Sequence, residues 1–217
     1  MAKDLAIVLN NGGLNSAVVT AMAAQRFRPV MVFVDAAQRP GSRARAAYDM
    51  QVAHFKPYRE HTLSMPYLAG LQSNVAAGVN DPRMPTVSAG QMMNLLPLLS
   101  AAIQFAAHHQ AAVIYLGWRV GNNADDLAQA TEFIQILNEL IQMPCGIKDL
   151  DIMTPILELE PWQVVDTGFQ VGTPFERTWS CIEDTSEPCW ACRGCRMREA
   201  AFVQAGKQDP MRAVKKL

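Results

Sequence analysis

Short apolar runs alternate with longer amphipathic segments over most of the chain, and this alternation constrains the fold more than any other feature. The clearest runs cover residues 5–9, 29–35 and 113–117. Strands of a parallel sheet are buried on both faces and are almost continuously apolar, and the helices between them cover the sheet. The sequence therefore predicts the α/β class, with a Rossmann-like parallel sheet that carries helices on both faces and holds residues 5–9 in its interior.

Periodicity, proline and glycine indicate the other elements. Helices are predicted over residues 16–27, 42–55, 91–109 and 127–142, and short strands near residues 59–63 and 152–154. Residues 64–90 carry repeated Pro and Gly with little periodicity, so we expect a long loop there. Pro97 falls in the first turns of the third helix or kinks it, and Pro161 stands where a further helix would begin.

The composition changes after Gly172 to Cys, Arg and small residues. We therefore expect an α/β domain of residues 1–172 and a C-terminal module of residues 173–217 packed on it. With 217 residues, 50% of them hydrophobic, the chain is neither fibrous nor wholly disordered. Its first apolar run has only five residues, which is too short for a signal segment or a membrane span. The sequence predicts a cytoplasmic protein with no membrane association.

A glycine pair, Gly12 and Gly13, lies between the first predicted strand and the helix that Ser16 opens. Backbone N–H groups in such a turn can face an anion at the helix N-terminus, where the helix dipole also favours negative charge. The alternative is a tight turn with Ser16 as the helix cap and no ligand. The turn lacks the Lys of a Walker loop and the third Gly of a dinucleotide-binding fingerprint.

Four cysteines lie within fifteen residues: Cys181, Cys189, Cys192 and Cys195. Four thiolates complete a closed tetrahedral Zn²⁺ site, which indicates a structural zinc. An iron–sulfur cluster and metal-free reduced thiols are the alternatives. The arginines at positions 193, 196 and 198 can offset the net charge of −2 of a zinc site with four thiolates. The fifth cysteine, Cys145, is expected to be a buried free thiol.

Both segments together resemble the 7-cyano-7-deazaguanine synthase family of queuosine and 7-deazaguanine biosynthesis. The resemblance covers nearly the whole chain. It is carried by the Gly-Gly-Leu-x-Ser turn, by Thr178-Trp-Ser-Cys181 and by the Cys-x-x-Cys-x-x-Cys near the C-terminus. Further similarities are Gln38-Arg39, the Gly117 turn, Glu132-Phe-Ile134, Thr154-Pro155 and the segment from Arg196 to Gly206.

This resemblance implies an adenine-nucleotide α-hydrolase-like fold with a PP-loop, a structural zinc and a homodimer. The nucleotide-site residues that it implies are Asn11, Gly12, Gly13, Leu14, Asn15, Ser16 and Asp35. The family uses ATP with Mg²⁺ to activate the carboxylate of 7-carboxy-7-deazaguanine as an adenylate. Ammonia then converts the carboxylate to the nitrile in two ATP-dependent steps. The expected ligand is a small-molecule carboxylate or a nucleobase-like compound.

Several positions depart from the family pattern. In the PP-loop the first Ser of the family is Asn11 and its Asp is Asn15. Pro40 replaces a His, Pro161 replaces a Lys, and a Pro-Gly-Arg-Asn signature becomes Gln91-Met-Met-Asn94. The substrate-site run after Gly117 becomes Asn122-Asn-Ala-Asp-Asp-Leu-Ala-Gln129. These departures concentrate on nucleotide and substrate positions and predict that standard nitrile synthesis is lost.

Three functions follow from this pattern. The chain is a divergent ATP-dependent enzyme of the family that acts on a related carboxylate, or a non-catalytic paralogue that serves as a binding or partner protein. The third function is nucleic-acid binding through the zinc module, with Arg193 to Arg198 and the tail residues Lys215 and Lys216 as contacts. It is disfavoured because 19 Lys and Arg against 20 Asp and Glu create no global positive field.

Overall fold

The computed structural model describes residues 4–37, 41–69 and 87–213. A five-stranded, entirely parallel sheet forms its centre, with the strand order β3-β2-β1-β4-β5. The strands are β1 (Leu5–Leu9), β2 (Arg28–Asp35), β3 (Arg59–Ser64), β4 (Val113–Leu116) and β5 (Asp151–Met153). The predicted parallel α/β sheet is thus confirmed.

The central strand is β1, which pairs with β2 on one side and β4 on the other. Ile7 lies opposite Val30 and Ile114 in these two ladders, and all three side chains are fully buried. A strand that is covered on both faces has no solvent side, so it needs no polar alternation. The continuous apolar run of residues 5–9 therefore has the interior position that the sequence predicts.

Helices cover both faces of the sheet. They are α1 (Leu14–Ala24), α2 (Gly41–Phe55), α3 (Val87–His109), α4 (Ala124–Gln142), α5 (Pro161–Gln170), α6 (Arg193–Gln204) and α7 (Pro210–Ala213). Side chains of α3 and α4 pack with Ile7, Leu9 and Ile114 on one face. Side chains of α1, α5 and α6 pack with Ala6 and Val8 on the other. The predicted two-sided cover is confirmed.

Several helix starts differ from the predicted positions. α1 begins at Leu14, so Ser16 lies in its first turn rather than at its cap. α3 begins at Val87, so residues 87–90 are helical and not part of the predicted loop, and Pro97 lies well inside the helix. The part of that loop at residues 70–86 lies outside the described residues. α4 begins at Ala124, where the Asn123 side chain caps it by accepting the N–H of Asp126 (3.1 Å).

Pro161 is the first residue of α5, as predicted. A capping box closes this end: the Glu160 side chain accepts the backbone N–H of Gln163, and the Gln163 side chain accepts the backbone N–H of Glu160 at 2.8 Å. Across the described residues, none of the helices combines the length and the apolar character that crossing a membrane requires.

Candidate functional site

The glycine turn joins the C-terminal end of β1 to α1. Gly12 has φ +77°, and a Cβ atom there would lie 2.2 Å from the carbonyl oxygen of Ala44 on α2. Both the positive φ and the close backbone approach require glycine at this position. At the end of β4, Gly117 lets the sheet approach the same helix start, since its Cβ would lie 2.9 Å from the nitrogen of Ser16.

A buried amide network, which the sequence analysis missed, fixes this turn. Asn10 Nδ2 donates to Thr20 Oγ1 (2.9 Å) and to Gln51 Oε1 (2.8 Å), and Gln51 Nε2 donates to the carbonyls of Gly12 (3.1 Å) and Arg177 (3.0 Å). Asn10 and Gln51 are buried. Every polar atom of both amides has a partner, so the network holds the turn against α1, α2 and the C-terminal region.

The N–H groups of the two glycines already have partners within the turn. Gly12 N donates to Asn10 Oδ1 (2.8 Å) and Gly13 N donates to Asn11 Oδ1 (3.0 Å). Gly13 is the N-cap of α1 and makes no side-chain capping bond. Within the described part of the chain, no hydrogen bond from the first-turn N–H groups of residues 14–16 is found. The available anion donors therefore lie in the first turn of α1 rather than at the glycine pair.

A cavity of about 540 Å³ opens above this turn, at the C-terminal edge of the sheet. This edge is where open α/β sheets bind ligands. The walls come from the strand ends, from α3, from the start of α5 and from the C-terminal region. Among the lining residues are Asn11, Gly13, Leu14, Asn15, Ser16, Leu95, Gly117, Arg119, Pro161, Trp179 and Met197.

The cavity includes most of the expected nucleotide-site residues but not all of them. Gly12 and Asp35 are not among the lining residues. Asp35 is exposed at the end of β2, where its carboxylate accepts the N–H of Ala37 (2.9 Å). Residues 122–129 form the start of α4 and the loop before it, and they do not line the cavity. Gln38, Arg39 and Pro40 lie outside the described residues.

The lining residues include two arginines and, among the described residues, no acidic side chain. Arg198 is buried and forms a two-pronged ion pair with Asp209 (2.6 and 2.8 Å), and it also donates to Thr178 Oγ1 and to the carbonyl of Phe175. The charge of Arg198 is therefore balanced by Asp209. The sequence had suggested instead that Arg198 offsets the negative charge of the cysteine site. The other, Arg119, donates to the carbonyl of Leu159 (3.3 Å).

The four cysteines converge as the sequence predicts. Their sulfur atoms all lie within 4.8 Å of one another, with Cys181 and Cys189 3.4 Å apart and Cys181 and Cys192 3.9 Å apart. A tetrahedral zinc site with Zn–S bonds of about 2.3 Å has sulfur separations of about 3.8 Å. All four are free thiols, and they could hold a metal such as zinc.

Backbone N–H groups donate hydrogen bonds that stabilise negative charge on the cysteine sulfur atoms. The N–H groups of Glu183 and Cys189 donate to Cys181, and that of Cys195 donates to Cys192. Burial opposes ionisation of Cys192, but the N–H groups of Cys195 and Ile182 outweigh it and lower its pKa to about 6. Burial raises the pKa of Cys181 and Cys195 instead. A metal ion bound to the four sulfurs would offset this desolvation.

The cysteine segment also contacts the α/β part of the chain. Asp184 Oδ1 accepts the hydroxyl of Ser42 (2.7 Å) and the N–H of Arg43 (2.8 Å), so it caps the start of α2. Gly194 approaches the carbonyl of Ser180 so closely that a Cβ would lie 2.0 Å from it. Ser180 and Gly194 both line the cavity, so the cysteine segment shapes one cavity wall.

Comparison with known proteins agrees with this arrangement. The model of the family described as "Queuosine biosynthesis protein QueC" matches residues 5–206. The chain belongs to this family. The QueC match spans both the glycine turn and the four cysteines, and it confirms the resemblance stated from the sequence.

Individual relatives of this QueC-family chain match over nearly the full length. The 7-cyano-7-deazaguanine synthase of Chloroherpeton thalassium is 28% identical over 220 residues, which cover 95% of this chain and 95% of the relative. The 7-cyano-7-deazaguanine synthase of Methanothermobacter thermautotrophicus is 26% identical over 218 residues, covering 94% and 97%.

Among solved structures, an NMN synthetase from Francisella tularensis has a similar fold. The TM-score is 0.54 at 13% sequence identity, and the match covers 99% of this chain and 82% of the synthetase. At this identity the likeness shows the fold alone.

Proposed function

We propose that this QueC-family chain binds ATP in the cavity above the glycine turn and activates a carboxylate of a nucleobase-like compound as an adenylate. In this step a carboxylate oxygen attacks the α-phosphorus and the bond to pyrophosphate breaks. The observation that carries the proposal is the cavity itself. It lies at the C-terminal edge of the sheet and is lined by Leu14, Asn15 and Ser16, whose first-turn N–H groups have no acceptor among the described residues and can donate to phosphate oxygens.

The substrate of the proposed reaction differs from 7-carboxy-7-deazaguanine. Three features support this difference: Asn15 stands where the family has Asp, Pro161 where it has Lys, and residues 91–94 lack the family arginine. Pro161 and Asn15 line the cavity, so both changes alter its surface directly. Asn keeps a hydrogen-bonding oxygen but brings no charge to Mg²⁺.

Exchange of labelled pyrophosphate into ATP tests the proposal, because it requires a carboxylate and reports adenylate formation directly. We expect exchange with at least one carboxylate of a panel of purine-like and pyrrolopyrimidine carboxylic acids. A matched control is Gly12→Ala, which cannot keep its backbone conformation against Ala44 and should abolish exchange. Absence of exchange across the panel, with Mg²⁺ and ATP saturating, contradicts an adenylating enzyme.

A second candidate function is a non-catalytic paralogue that binds a ligand or a partner. It is favoured by one specific observation, namely that no acidic side chain of the described residues lines the cavity. A protein that binds ATP without Mg²⁺ dependence and shows no exchange with any carboxylate fits this function. Calorimetry with ATP in the presence of Mg²⁺ or of EDTA separates the two candidates.

We further propose that the four cysteines hold one structural zinc. A closed set of four thiolates leaves no coordination position for a substrate, so the metal stabilises the fold and takes no part in catalysis. A module of residues 173–217 packed on residues 1–172 is supported by the capping of α2 by Asp184. Clustered reduced thiols also favour a cytoplasmic location, which cell fractionation would test.

We propose that the chain forms a homodimer, as the family resemblance implies. Ile136 and Leu140 on α4 and Met143, its C-cap residue, are exposed at i, i+4 and i+7 spacing and offer an apolar surface. Light scattering after size-exclusion chromatography gives the mass directly. A mass near 24 kDa at micromolar concentration contradicts the dimer, since one chain has 23.9 kDa.

A further inference from the structure

The charges around the cavity leave one cation available to a ligand. Of the described residues that line it, Arg119 and Arg198 carry a formal positive charge and none carries a negative one. Arg198 is 4% exposed, and its guanidinium is committed to Asp209, Thr178 and Phe175. A ligand can therefore pair with Arg119 without displacing an existing ion pair.

Arg119 lies beside the start of α5. It follows the end of β4 by three residues, and its Nη1 donates to the carbonyl of Leu159 (3.3 Å), two residues before Pro161. In the described ranges no carboxylate pairs with it. A Cβ atom on Gly121 would lie 3.4 Å from Nη1 of Arg119 and 3.5 Å from Oε1 of Glu160, so the two side chains are near each other. The carboxylate of Glu160, however, caps α5. The guanidinium thus keeps most of its donors for another acceptor.

Other donors around the cavity also lack acceptors. The indole Nε1 of Trp179 is buried and has no hydrogen-bond partner in the described part of the chain, and Trp179 lines the cavity. The first-turn N–H groups of residues 14–16 are equally unmatched among the described residues. A buried donor without an acceptor costs free energy, so a cavity with several of them favours an acceptor-rich, anionic ligand.

We infer that Arg119 binds an oxyanion of the ligand and determines ligand specificity in this cavity, which rests on the proposed function of ATP-dependent carboxylate activation. Arg119 supplies positive charge beside Pro161, where the family pattern has a lysine. A guanidinium presents paired donors that match a carboxylate or a phosphate, so both are possible sources of the oxyanion.

Calorimetric titration of the full chain and of Arg119→Ala tests this inference. The probes are Mg-ATP, inorganic pyrophosphate, the purine-like and pyrrolopyrimidine carboxylic acids of the exchange panel, and 7-deazaguanine, which lacks a carboxylate. The matched control is Arg59→Ala: its guanidinium also donates to one backbone carbonyl, that of Tyr58 (3.2 Å), but it lies at the start of β3 and outside the cavity. Thermal unfolding verifies that each variant is folded, and Arg119→Gln replaces Arg119→Ala if the alanine variant is not.

We expect Arg119→Ala to weaken at least one oxyanion probe by roughly tenfold to a hundredfold, since a charge-assisted hydrogen bond is lost. Arg119→Lys should lose less, and Arg59→Ala should bind as the wild type does. The probe that weakens identifies the oxyanion as a phosphate or as a carboxylate. Binding of 7-deazaguanine should not change.

Equal affinities of wild type and Arg119→Ala for every probe overturn the inference and leave the proposed function standing. An equal loss for 7-deazaguanine also overturns it, because it indicates a purely structural role. If no probe binds the wild type, the inference and the proposed function both fail. Arg119-dependent binding of pyrophosphate without any pyrophosphate exchange supports the inference and rejects the proposed function.

Discussion

The buried amides of Asn10 and Gln51 meet at 2.8 Å, from Nδ2 to Oε1, and join the end of the central strand to α2. The same Gln51 side chain donates to the carbonyls of Gly12 and Arg177. One residue on α2 therefore holds the glycine turn on one side and the segment before the cysteines on the other. The shape of the cavity depends on this junction, since the turn and the C-terminal segment form two of its walls.

We expect Gln51→Leu to lower the free energy of unfolding by about 1–3 kcal/mol, the usual cost of a buried polar group left unpaired. Leucine is of similar size but removes the Gln51 donor from the carbonyl of Arg177. Asn10 Nδ2 and the carbonyl of Gly12 each lose one of two partners and keep Thr20 Oγ1 and the N–H of Trp179. Urea denaturation followed by circular dichroism measures the change. The control is Gln170→Leu, because Gln170 is exposed and its side chain donates to Asp166 four residues earlier on the same helix. Similar losses for both variants would show that the network contributes little.

Metal content is the second expectation: purified protein should contain one zinc per chain. Cys192→Ala should release the metal and destabilise residues 173–217, because binding of a structural zinc contributes folding free energy. Elemental analysis and limited proteolysis provide the two measurements. Cys145→Ala is the matched control, since Cys145 is an exposed free thiol outside the cluster and not the buried thiol that the sequence suggested. Iron with acid-labile sulfide, or no metal, contradicts the zinc assignment.

The sequence predicted the sheet well because its strands are fully buried. Burial on both faces produces continuous apolar runs, so β1 was predicted with its observed ends and β2 within one residue. Helix starts were predicted less well, since α1, α3 and α4 begin two to four residues before the predicted positions. The start of α2 was predicted within one residue, but its bonds to Asp184, more than 140 residues further on, were not. No local pattern contains such a contact.

At the candidate site, the glycines and cysteines were predictable and the polar partners were not. The positions of Gly12 and of the four cysteines in the sequence are enough to predict a ligand-binding turn and a metal site. Gln51 and Arg119 gain significance only because the fold brings them to the turn and the cavity. A signal for Arg119 was present, since a cation shortly after a buried parallel strand lies at the ligand-binding edge of the sheet. Asp35 carried the same signal, yet its side chain is exposed outside the cavity wall.

The third expectation concerns the loss of folding stability at acidic pH. His61 on β3 and His109 at the end of α3 are 2.8 Å apart between their Nε2 atoms, so one neutral ring donates to the other. Burial lowers the pKa of both, and the charges of nearby His108 and Arg59 lower it further, while Glu60 raises that of His61. A histidine whose pKa is depressed in the native state is protonated first in the unfolded chain. Stability should therefore be complete above roughly pH 6.5 and decrease as the pH falls below it.

Denaturant unfolding at a series of pH values between 5 and 8 measures this dependence. In His109→Gln the decrease of stability towards pH 5 should be smaller than in the wild type, because the pair no longer resists protonation. His54→Gln is the control, since His54 is exposed on α2 and does not contact the pair. An unchanged pH dependence in His109→Gln would mean that the pair does not set the acid sensitivity.

The last expectation concerns the standard family reaction: the chain should form little or no 7-cyano-7-deazaguanine from 7-carboxy-7-deazaguanine, ATP and ammonia. Carboxylate activation places negative charge on a five-coordinate α-phosphate, which must meet preorganised positive charge and a metal ion. The cavity offers Arg119 as its one cation without an ion pair among the described residues, and no carboxylate of those residues lines it to bind Mg²⁺.

Loss of one electrostatic contributor typically lowers the rate by about 10²–10³. The sequence resemblance implies an Asp, a Lys and an Arg at the positions where this chain has Asn15, Pro161 and residues 91–94. Chromatographic assay of the nitrile product measures the rate, with an active family synthase as the positive control. Asn15→Asp alone should not restore activity, because it adds a metal ligand but neither of the missing cations. Turnover by the wild type at a rate ordinary for an enzyme, or full rescue by that single change, would show that the substituted residues are dispensable. In that case Arg119 and the first-turn N–H groups of α1 would have to supply the whole electrostatic stabilisation of the transition state.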